Sequence, residues 1–274
     1  MGNAAEELTA LWDQVITEWL EGGSSVPDRL KPWFDVYSGS GRGQVDPEAF
    51  PEPFLGDLSL RPAGVTLALN PGEVFEEFQY RNGIFANEIR ASGSYSKWAA
   101  GWPYLRAEGP RLPDGRGRDF HRKRLTFLRN WYGTTSIPPS RMIAFELYPW
   151  HSTGLTRSII FRSQTARSFI ERFIWSPIVD SRTPFVFGVG KDWFPVLRSF
   201  ATQELVILGY DGEPCGFNES KRTVFVGRGP NGMLIIASKT HNVASPIPAD
   251  DVDTLRTALL HRGILEEPPR YEDD

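Results

Sequence analysis

The sequence predicts a three-layer α/β/α fold in which a central, mainly parallel four-stranded sheet lies between helices. Short apolar runs alternate with segments that carry apolar residues at helical spacing, which is typical of strands joined by crossover helices. Hydrophobic residues make up 40% of the 274 residues and charged residues 23%, as in an ordinary globular protein. There is no internal repeat and no low-complexity linker, so the sequence predicts one domain over residues 1–274.

The first 60 residues are predicted to contribute no strand to the sheet. Residues 5–21 have apolar side chains at helical spacing and are predicted to form an amphipathic helix. Residues 31–63 are rich in Pro, Gly and Asp and are predicted to be irregular. We therefore divide the chain into an N-terminal helix with an irregular approach segment (1–60), a core (61–265) and an acidic tail (266–274).

The core contains the predicted strands and the helices between them. The four main strands are predicted at residues 65–69, 142–147, 185–189 and 233–237. The helices are predicted at residues 121–132, 163–175, 192–202 and 249–262. Two shorter β runs, at residues 205–208 and 222–227, are separated by a loop rich in Gly, Pro and Asn and are predicted to form a small β insertion.

Polar sequences follow the predicted main strands. Asn70-Pro71-Gly72 follows the first, Glu146 ends the second, a Gly-Val-Gly sequence ends the third, and His241 follows the fourth. The carboxyl ends of parallel strands converge on one crevice, where such sheets bind ligands. An Asn held there can orient a water molecule without carrying charge. Each residue also has a plain alternative, since Asn-Pro-Gly is an ordinary turn, Glu146 could be a paired structural carboxylate and His241 a loop histidine.

The formal net charge is −4, which argues weakly against nucleic acid as the partner of the whole surface. However, residues 111–129 form a basic run on this acidic chain. Its basic residues include Arg116, Arg118, Arg122, Lys123 and Arg124. Such a run can hold a phosphate backbone locally, although it can equally be a solvated loop.

Cysteine content and the N-terminal sequence suggest where the protein is found. Cys215 is the only cysteine, which excludes an internal disulfide and a cysteine-based zinc site. No apolar run is long enough for a transmembrane helix, and the acidic N-terminus lacks a signal-peptide pattern. These features predict a cytoplasmic protein with no membrane partner and no obligate protein partner.

The order of the motifs resembles the uracil-DNA glycosylase superfamily, closest to its single-strand-selective and mismatch-specific branches. Leu69-Asn70-Pro71-Gly72 is similar to the first motif, Gly-Met/Ile-Asn-Pro-Gly, but has Ala68 and Leu69 in place of the Gly and its neighbour. Gly83-Ile84-Phe85 lies at a distance comparable to that of the family's base-stacking Phe.

Three later segments continue the resemblance, which covers about residues 60–262. The sequence Phe145-Glu146-Leu147-Tyr148-Pro149 resembles a His-Asn-Leu-Cys-Pro motif, and Phe187-Gly188-Val189-Gly190 matches Val-Gly-Val-Gly. The last motif, His-Pro-Ser-Pro, is related to His241-Asn242-Val243-Ala244-Ser245-Pro246, which is longer by two residues and lacks the Pro directly after His.

The resemblance implies a DNA glycosylase, which extrudes a base and hydrolyses its N-glycosidic bond to leave an abasic site. In that chemistry Asn70 would orient the water, and His241 would donate a hydrogen bond to the departing base. Phe85 would stack on the base in a pocket that includes Pro71 and Gly72. The basic run and Lys239 would hold phosphates of single- or double-stranded DNA, and the segment from Ser245 and Pro246 would wedge into the duplex. The reaction requires no metal and no cofactor.

Glu146 stands where the single-strand-selective branch has an Asn that reads uracil. An ionised carboxylate accepts hydrogen bonds but donates none, so it would repel the carbonyl oxygens of uracil. Cytosine presents an amino group, and a carboxylate that accepts from this amino group is an established pairing. A protonated Glu146 would donate to cytosine N3 instead. We therefore expect a cytosine-type base, with a bulky 5-substituent as the added discriminator.

This preference resembles that of phage-defence glycosylases that excise glucosylated hydroxymethylcytosine from invading DNA. Two alternatives stay open within the same fold. One is a conventional uracil or mismatch-specific glycosylase of base-excision repair, in which Glu146 only lines the pocket. The other is a non-catalytic DNA-binding module, which the longer His241 motif and the acidic charge balance would allow. An unrelated nucleoside or nucleotide hydrolase is disfavoured because the chain lacks a phosphate-binding glycine loop.

Overall fold

A computed structural model describes residues 3–37, 43–108, 112, 116–153, 163–216, 222–239 and 246–271. The strands are β1 (Phe54–Leu55), β2 (Gly64–Ala68), β3 (Met142–Glu146), β4 (Phe185–Val189), β5 (Gln203–Gly209), β6 (Thr223–Arg228) and β7 (Leu234–Lys239). They form one mixed sheet in the order β1-β3-β2-β4-β7-β6-β5. The prediction of an α/β fold is therefore confirmed, whereas the predicted number of strands is too small.

The four predicted main strands are neighbours and run parallel at the centre of the sheet. β2 pairs with β3 and β4, and β4 pairs with β7. Every residue of β2, β3 and β4 is buried, as expected for strands covered by helices on both faces. All four carboxyl ends therefore lie at one edge of the sheet, which we call the carboxyl edge.

The predicted separate β insertion is wrong, because the two short runs extend the same sheet. β6 pairs antiparallel with β7, and β5 pairs antiparallel with β6. An isolated two-stranded ribbon is marginal in water, and all but the last residue of β6 are buried. Burial of β6 therefore favours addition to the sheet over a free hairpin.

The helices are α1 (Ala4–Leu20), α2 (Lys31–Tyr37), α3 (Glu76–Gln79), α4 (Ile84–Ser92), α5 (Tyr95–Ala100), α6 (Arg116–Tyr132), α7 (Gln164–Ile170), α8 (Ser176–Asp180), α9 (Trp193–Phe200) and α10 (Ala249–His261). The segment at 31–63, predicted to be irregular, contains α2 and β1.

α7 continues into α8 through a π-helical turn over Glu171–Trp175. Pro177 follows this turn and cannot donate a backbone hydrogen bond into it, which accounts for the wider turn. Among the described helices none is long and apolar enough to cross a membrane.

The carboxyl end of β2 is held by a tryptophan on α9. The Trp193 indole donates to the Ala68 carbonyl oxygen at 2.8 Å. The same side chain packs against Gly188 of β4, where a Cβ atom would meet the Trp193 Cβ at 2.8 Å and the Leu197 Cδ1 at 2.7 Å. Gly188 is therefore needed for close packing of this helix on the sheet.

Replacement of Gly188 by Ala is expected to lower the free energy of unfolding by about 1–3 kcal/mol. The Trp193 Cβ is fixed to its backbone, so relief of the clash requires α9 to shift. Gly64→Ala is a matched control, because its closest contact is the flexible end of Leu128, at 2.6 Å. Urea unfolding of both variants tests this, and an equal or larger cost for Gly64→Ala would contradict the argument.

Candidate active site

The Asn-Pro-Gly motif lies at the carboxyl edge and is anchored to the segment after β3. The ladder between the two strands continues beyond their ends, since the Tyr148 amide donates to the Leu69 carbonyl at 2.9 Å. The Asn70 side-chain nitrogen donates to the Ser152 carbonyl at 2.9 Å and to the Ser152 hydroxyl at 3.1 Å. Holding this nitrogen fixes the direction of the Asn70 side-chain oxygen, which is the atom able to accept from a water molecule.

Glu146 lies beside this motif, because its register partner across the sheet is Ala68. Its Oε1 atom accepts a hydrogen bond from Arg124 at 2.7 Å, and the two side chains are 8% and 0% exposed. The Arg124 guanidinium also lies over the Phe120 ring, 4.1 Å from its centre. Glu146 is therefore a buried carboxylate with a dedicated cation, which agrees with its plain alternative as a paired structural group.

A second buried carboxylate, Glu52, faces the same region. The Tyr104 hydroxyl donates to Glu52 Oε1 at 2.6 Å, and Gln79 donates to this hydroxyl at 3.4 Å. His151 Nε2 lies 3.2 Å from the same Glu52 oxygen, close enough for an ion pair but without hydrogen-bond alignment. The other ring nitrogen, Nδ1, lies 3.3 Å from the Gly72 carbonyl oxygen. Glu52 is thus connected to the Asn-Pro-Gly motif through one histidine.

The buried side chains around Glu146 and Glu52 form one polar cluster. Several of its polar atoms have no hydrogen-bond partner among the described residues. They are Glu146 Oε2, Arg124 Nε and Nη1, His121 Nδ1 and His151 Nε2. His121 belongs to the same cluster, since its ring lies 4.8 Å from that of Tyr104. Native proteins leave few buried polar atoms unpaired, so a group of them in one place indicates a position for water or a ligand.

Burial changes the protonation of these groups. Burial raises the pKa of the Glu146 carboxyl above its ordinary value, and Arg124 opposes that rise. Burial, helped by the Arg124 charge, holds the pKa of His121 well below its ordinary value. Burial beside Glu52 also raises the pKa of Tyr104, which keeps this hydroxyl protonated and able to donate. The cluster thus presents the Arg124 cation, the Glu146 carboxyl, a neutral His121 imidazole and a protonated Tyr104 hydroxyl.

Phe85, which is predicted to stack on the base, is the second residue of α4 and is fully buried. Its ring packs against Tyr104 at 5.1 Å, Trp98 at 5.4 Å and Phe78 at 5.5 Å. Through Tyr104 it borders the polar cluster rather than an open surface. Stacking by Phe85 stays a prediction and would require a base to enter beside Tyr104.

The prediction that Arg124 contacts DNA is wrong, because its side chain is buried. The sequence predicts that Arg124 binds phosphate, but its side chain is fully buried and binds Glu146, so a DNA backbone at the surface does not reach it. Arg122 and Lys123, on the same helix, are exposed, and Arg122 lies 3.0 Å from Asp119. Helical spacing explains the difference, since only one side of α6 faces the sheet.

The other predicted DNA-binding residues are only partly described. Arg116 and Arg118 lie in the first turn of α6, and their side chains lie outside the described residues. Lys239 is half-buried at the end of β7, and Pro246 is buried, whereas a wedge needs an exposed side chain. His241 and Ser245 lie outside the described residues, so the roles predicted for them stay predictions.

Sequence reasoning missed four members of the polar cluster, namely Glu52, Gln79, Tyr104 and His121. Glu52 lies between two prolines in a segment predicted to be irregular, and Gln79 and Tyr104 belong to the long loop-rich region after the first strand. None of them follows a predicted strand. His121 had a usable signal, because it lies three residues before Arg124 and shares its helix face.

Comparisons with known proteins do not identify the chain. A scan against protein-family models and searches of curated proteins and of solved structures found no match. Among the described residues, no group of three or more His, Cys, Asp or Glu is arranged to hold a metal ion.

His121 predicts a pH dependence of stability. The folded state keeps this imidazole neutral, whereas the unfolded chain binds a proton below about pH 6.5. As the pH falls below this value, the free energy of unfolding should therefore fall, by up to about 1.4 kcal/mol per pH unit for this one proton. Urea unfolding between pH 7 and pH 5 should show a shallower dependence in His121→Phe. An unchanged dependence in that variant would contradict the assignment.

Proposed function

We propose that this chain is a monofunctional DNA glycosylase that excises a 5-substituted cytosine, such as a glucosylated one, and leaves an abasic site. The substrate would be invading or damaged DNA, and defence against phage is the role that fits such a base. The observation that carries the proposal is the buried Glu146–Arg124 pair beside Asn70-Pro71-Gly72, with polar atoms left unpaired on both partners.

The unpaired atoms suit the hydrogen-bonding edge of cytosine. This edge presents one amino donor followed by two acceptors, N3 and O2. Glu146 Oε2 is an unpaired acceptor, and Arg124 Nε and Nη1 are unpaired donors. Uracil presents a carbonyl oxygen in place of the amino group, which an ionised Glu146 would repel. Binding of cytosine would thus satisfy atoms that are otherwise buried without partners.

Asn70 supports the hydrolytic step of the proposal. Hydrolysis of the N-glycosidic bond gives the sugar oxocarbenium character, and the base departs as an anion. Asn70, held by Ser152, would place the attacking water beneath the sugar. The departing base would be stabilised by Arg124 and by the donor predicted at His241. His151 lies between Glu52 and the Gly72 carbonyl oxygen, so it is a second candidate to contact the departing base.

A conventional uracil or mismatch glycosylase is the second candidate. The observation that favours it is the 2.7 Å bond from Arg124 to Glu146, because a carboxylate used for packing need not contact the base. In that case the base would be read by backbone groups of the Asn-Pro-Gly segment, and Glu146 would only line the pocket.

The two candidates are separated by a panel of DNA duplexes that differ in one base. Each would carry uracil, cytosine, hydroxymethylcytosine or glucosylated hydroxymethylcytosine, and abasic sites would be scored by alkaline cleavage. We expect cleavage only at the 5-substituted cytosines, and loss of it in Glu146→Gln. Single-stranded versions of the same strands would report the strand preference.

Two outcomes would overturn the proposal. Preferential release of uracil, unchanged in Glu146→Gln, would support the second candidate. DNA binding without alkali-labile product from any of the four bases would favour a non-catalytic DNA-binding module. Glu204→Gln is the matched control, because it removes an exposed carboxylate that pairs with Arg198 at 2.6 Å, away from the candidate site and from the predicted DNA contacts.

A further inference from the structure

A second cleft lies at the opposite edge of the sheet from the candidate active site. It has a volume of about 430 Å³ and is lined by Ala63, Arg141, Phe185 and Leu234, which flank or begin the amino-terminal ends of the four parallel strands. The segment 265–271 forms its outer wall. Ligands of α/β sheets usually lie at the carboxyl edge, so this amino-edge cleft is separate from the proposed catalytic chemistry.

The amino-edge cleft is strongly basic on a chain of net negative charge. Among the described residues, four arginines line it, with a single carboxylate, Glu267, which pairs with Arg270 at 3.5 Å. Arg61 donates to the Arg182 carbonyl oxygen at 3.3 Å, and Arg228 donates to the carbonyl oxygens of Gly232 and Ile264 at 2.9 and 2.7 Å. Backbone carbonyls carry no net charge, and neither Arg61 nor Arg228 has a carboxylate partner among the described residues. Their positive charges are therefore left for an anion.

The walls of the amino-edge cleft are flat and apolar. Tyr132 and Tyr271 meet edge to face with ring centres 6.3 Å apart, and the Tyr132 hydroxyl is fixed by the Ala63 carbonyl at 2.7 Å. Behind them Trp131 and Phe185 stack at 4.7 Å with almost parallel planes. Rigid rings suit contact with a planar group, and guanidinium groups suit a phosphate. The volume lies in the range of small-molecule sites, about 300–1,000 Å³.

We propose that the amino-edge cleft binds a phosphate monoester joined to a planar aromatic ring, of the size of a nucleoside monophosphate. Arg61 and Arg228 hold the phosphate, and the Tyr132–Tyr271 wall contacts the ring. This site does not depend on the proposed glycosylase function, since none of its residues belongs to the carboxyl edge.

Isothermal titration of the full chain with adenosine 5′-monophosphate tests the proposal. Inorganic phosphate and adenosine serve as the separate halves of that ligand, and a single-stranded oligonucleotide tests whether the phosphate comes from a nucleic acid backbone. We expect the nucleotide to bind at least about tenfold more tightly than inorganic phosphate or adenosine. It should also bind at least about tenfold more tightly than the oligonucleotide when the oligonucleotide affinity is counted per phosphate. Arg61→Gln should weaken nucleotide binding at least about tenfold, as loss of a charged hydrogen bond predicts. Arg172→Gln removes the same charge at an exposed position outside the cleft and should change nothing.

Several outcomes would overturn the proposal. These are no binding of the nucleotide, equal binding of phosphate alone, tighter binding of the oligonucleotide, or equal losses in Arg61→Gln and Arg172→Gln. Glu272, Asp273 and Asp274 follow Tyr271 in the sequence, and their carboxylates would be a second source of negative charge for the same arginines. A variant with the matching amides at these three positions distinguishes the sources. Nucleotide binding that appears only in that variant would mean that the tail occupies the cleft, and would also overturn the proposal.

Discussion

Replacement of Asn70 by Ala is expected to lower the rate of abasic-site formation at least about 100-fold while leaving DNA binding nearly unchanged. The Asn70 side chain is held by two bonds to Ser152, so its oxygen has one fixed direction in which to place a water molecule. Ala removes this acceptor and leaves the turn formed by Pro71 and Gly72. Single-turnover cleavage at saturating enzyme measures the rate, and fluorescence anisotropy with the same duplex measures binding.

Ser152→Ala is the control for Asn70. It removes the hydroxyl acceptor at 3.1 Å but keeps the backbone carbonyl at 2.9 Å, so Asn70 should stay in place and the rate should fall far less. An Asn70→Ala variant that cleaves at nearly the normal rate would exclude the water-positioning role. Parallel loss of binding and cleavage would instead indicate that Asn70 is needed only to shape the surface.

The sequence predicted the parallel centre of the sheet because its strands have a simple signal. Each of the four is a short apolar run, and the residues of β2, β3 and β4 are buried throughout, so the pattern and the burial agree. The turn after β2 was equally readable, since Pro71 and Gly72 end any regular element. Gly72 adopts a φ of 91°, which favours glycine.

The elements that were missed depend on contacts between distant residues. β1 has only two residues and exists because Phe54 and Leu55 pair with the far edge of β3. β5 and β6 have ordinary hairpin patterns. They join the main sheet because β6 pairs with the side of β7 that does not face β4. Local propensity carries no information about either pairing.

The same limit applies to the candidate site. Glu146 was found because it ends a strand, whereas its partner Arg124 looked like one more charge in a basic run. The helix phase of α6 decides that Arg124 points inward while Arg122 and Lys123 point to solvent. Glu52 could not be assigned at all, since its position opposite Tyr104 and His151 follows from tertiary packing of a segment without periodicity.

The Glu146–Arg124 pair should dominate the stability of this region. Arg124→Met leaves a buried carboxyl without its cation, and Glu146→Gln leaves a buried guanidinium without its anion. Each is expected to lower the free energy of unfolding by about 3–5 kcal/mol at pH 8. In the double variant Arg124→Met/Glu146→Leu neither charge of the pair remains, so its cost should be well below the sum of the single costs. Costs that simply add would show that the two side chains do not depend on each other.

The pH dependence separates the two single variants. Burial already raises the pKa of Glu146, and loss of Arg124 should raise it further, so the carboxyl can take up a proton. A carboxyl whose pKa is raised in the folded state stabilises that state at low pH. This stabilisation is lost as the pH rises through the raised pKa, so Arg124→Met should be least damaging near pH 5. Glu146→Gln leaves a guanidinium that stays charged throughout, so its cost should change little over the same range.

The double variant also decides what Glu146 does for the proposed reaction. It is expected to be folded but to lack both the carboxylate and the cation that would read cytosine. If the pair serves only packing, the double variant should keep the base preference of the native protein, because the apolar replacement restores the core. If the pair reads the base, the variant should bind DNA, retain Asn70 and lose the preference for 5-substituted cytosine over uracil. Stability and base preference measured on the same protein therefore separate a structural ion pair from a specificity-determining one.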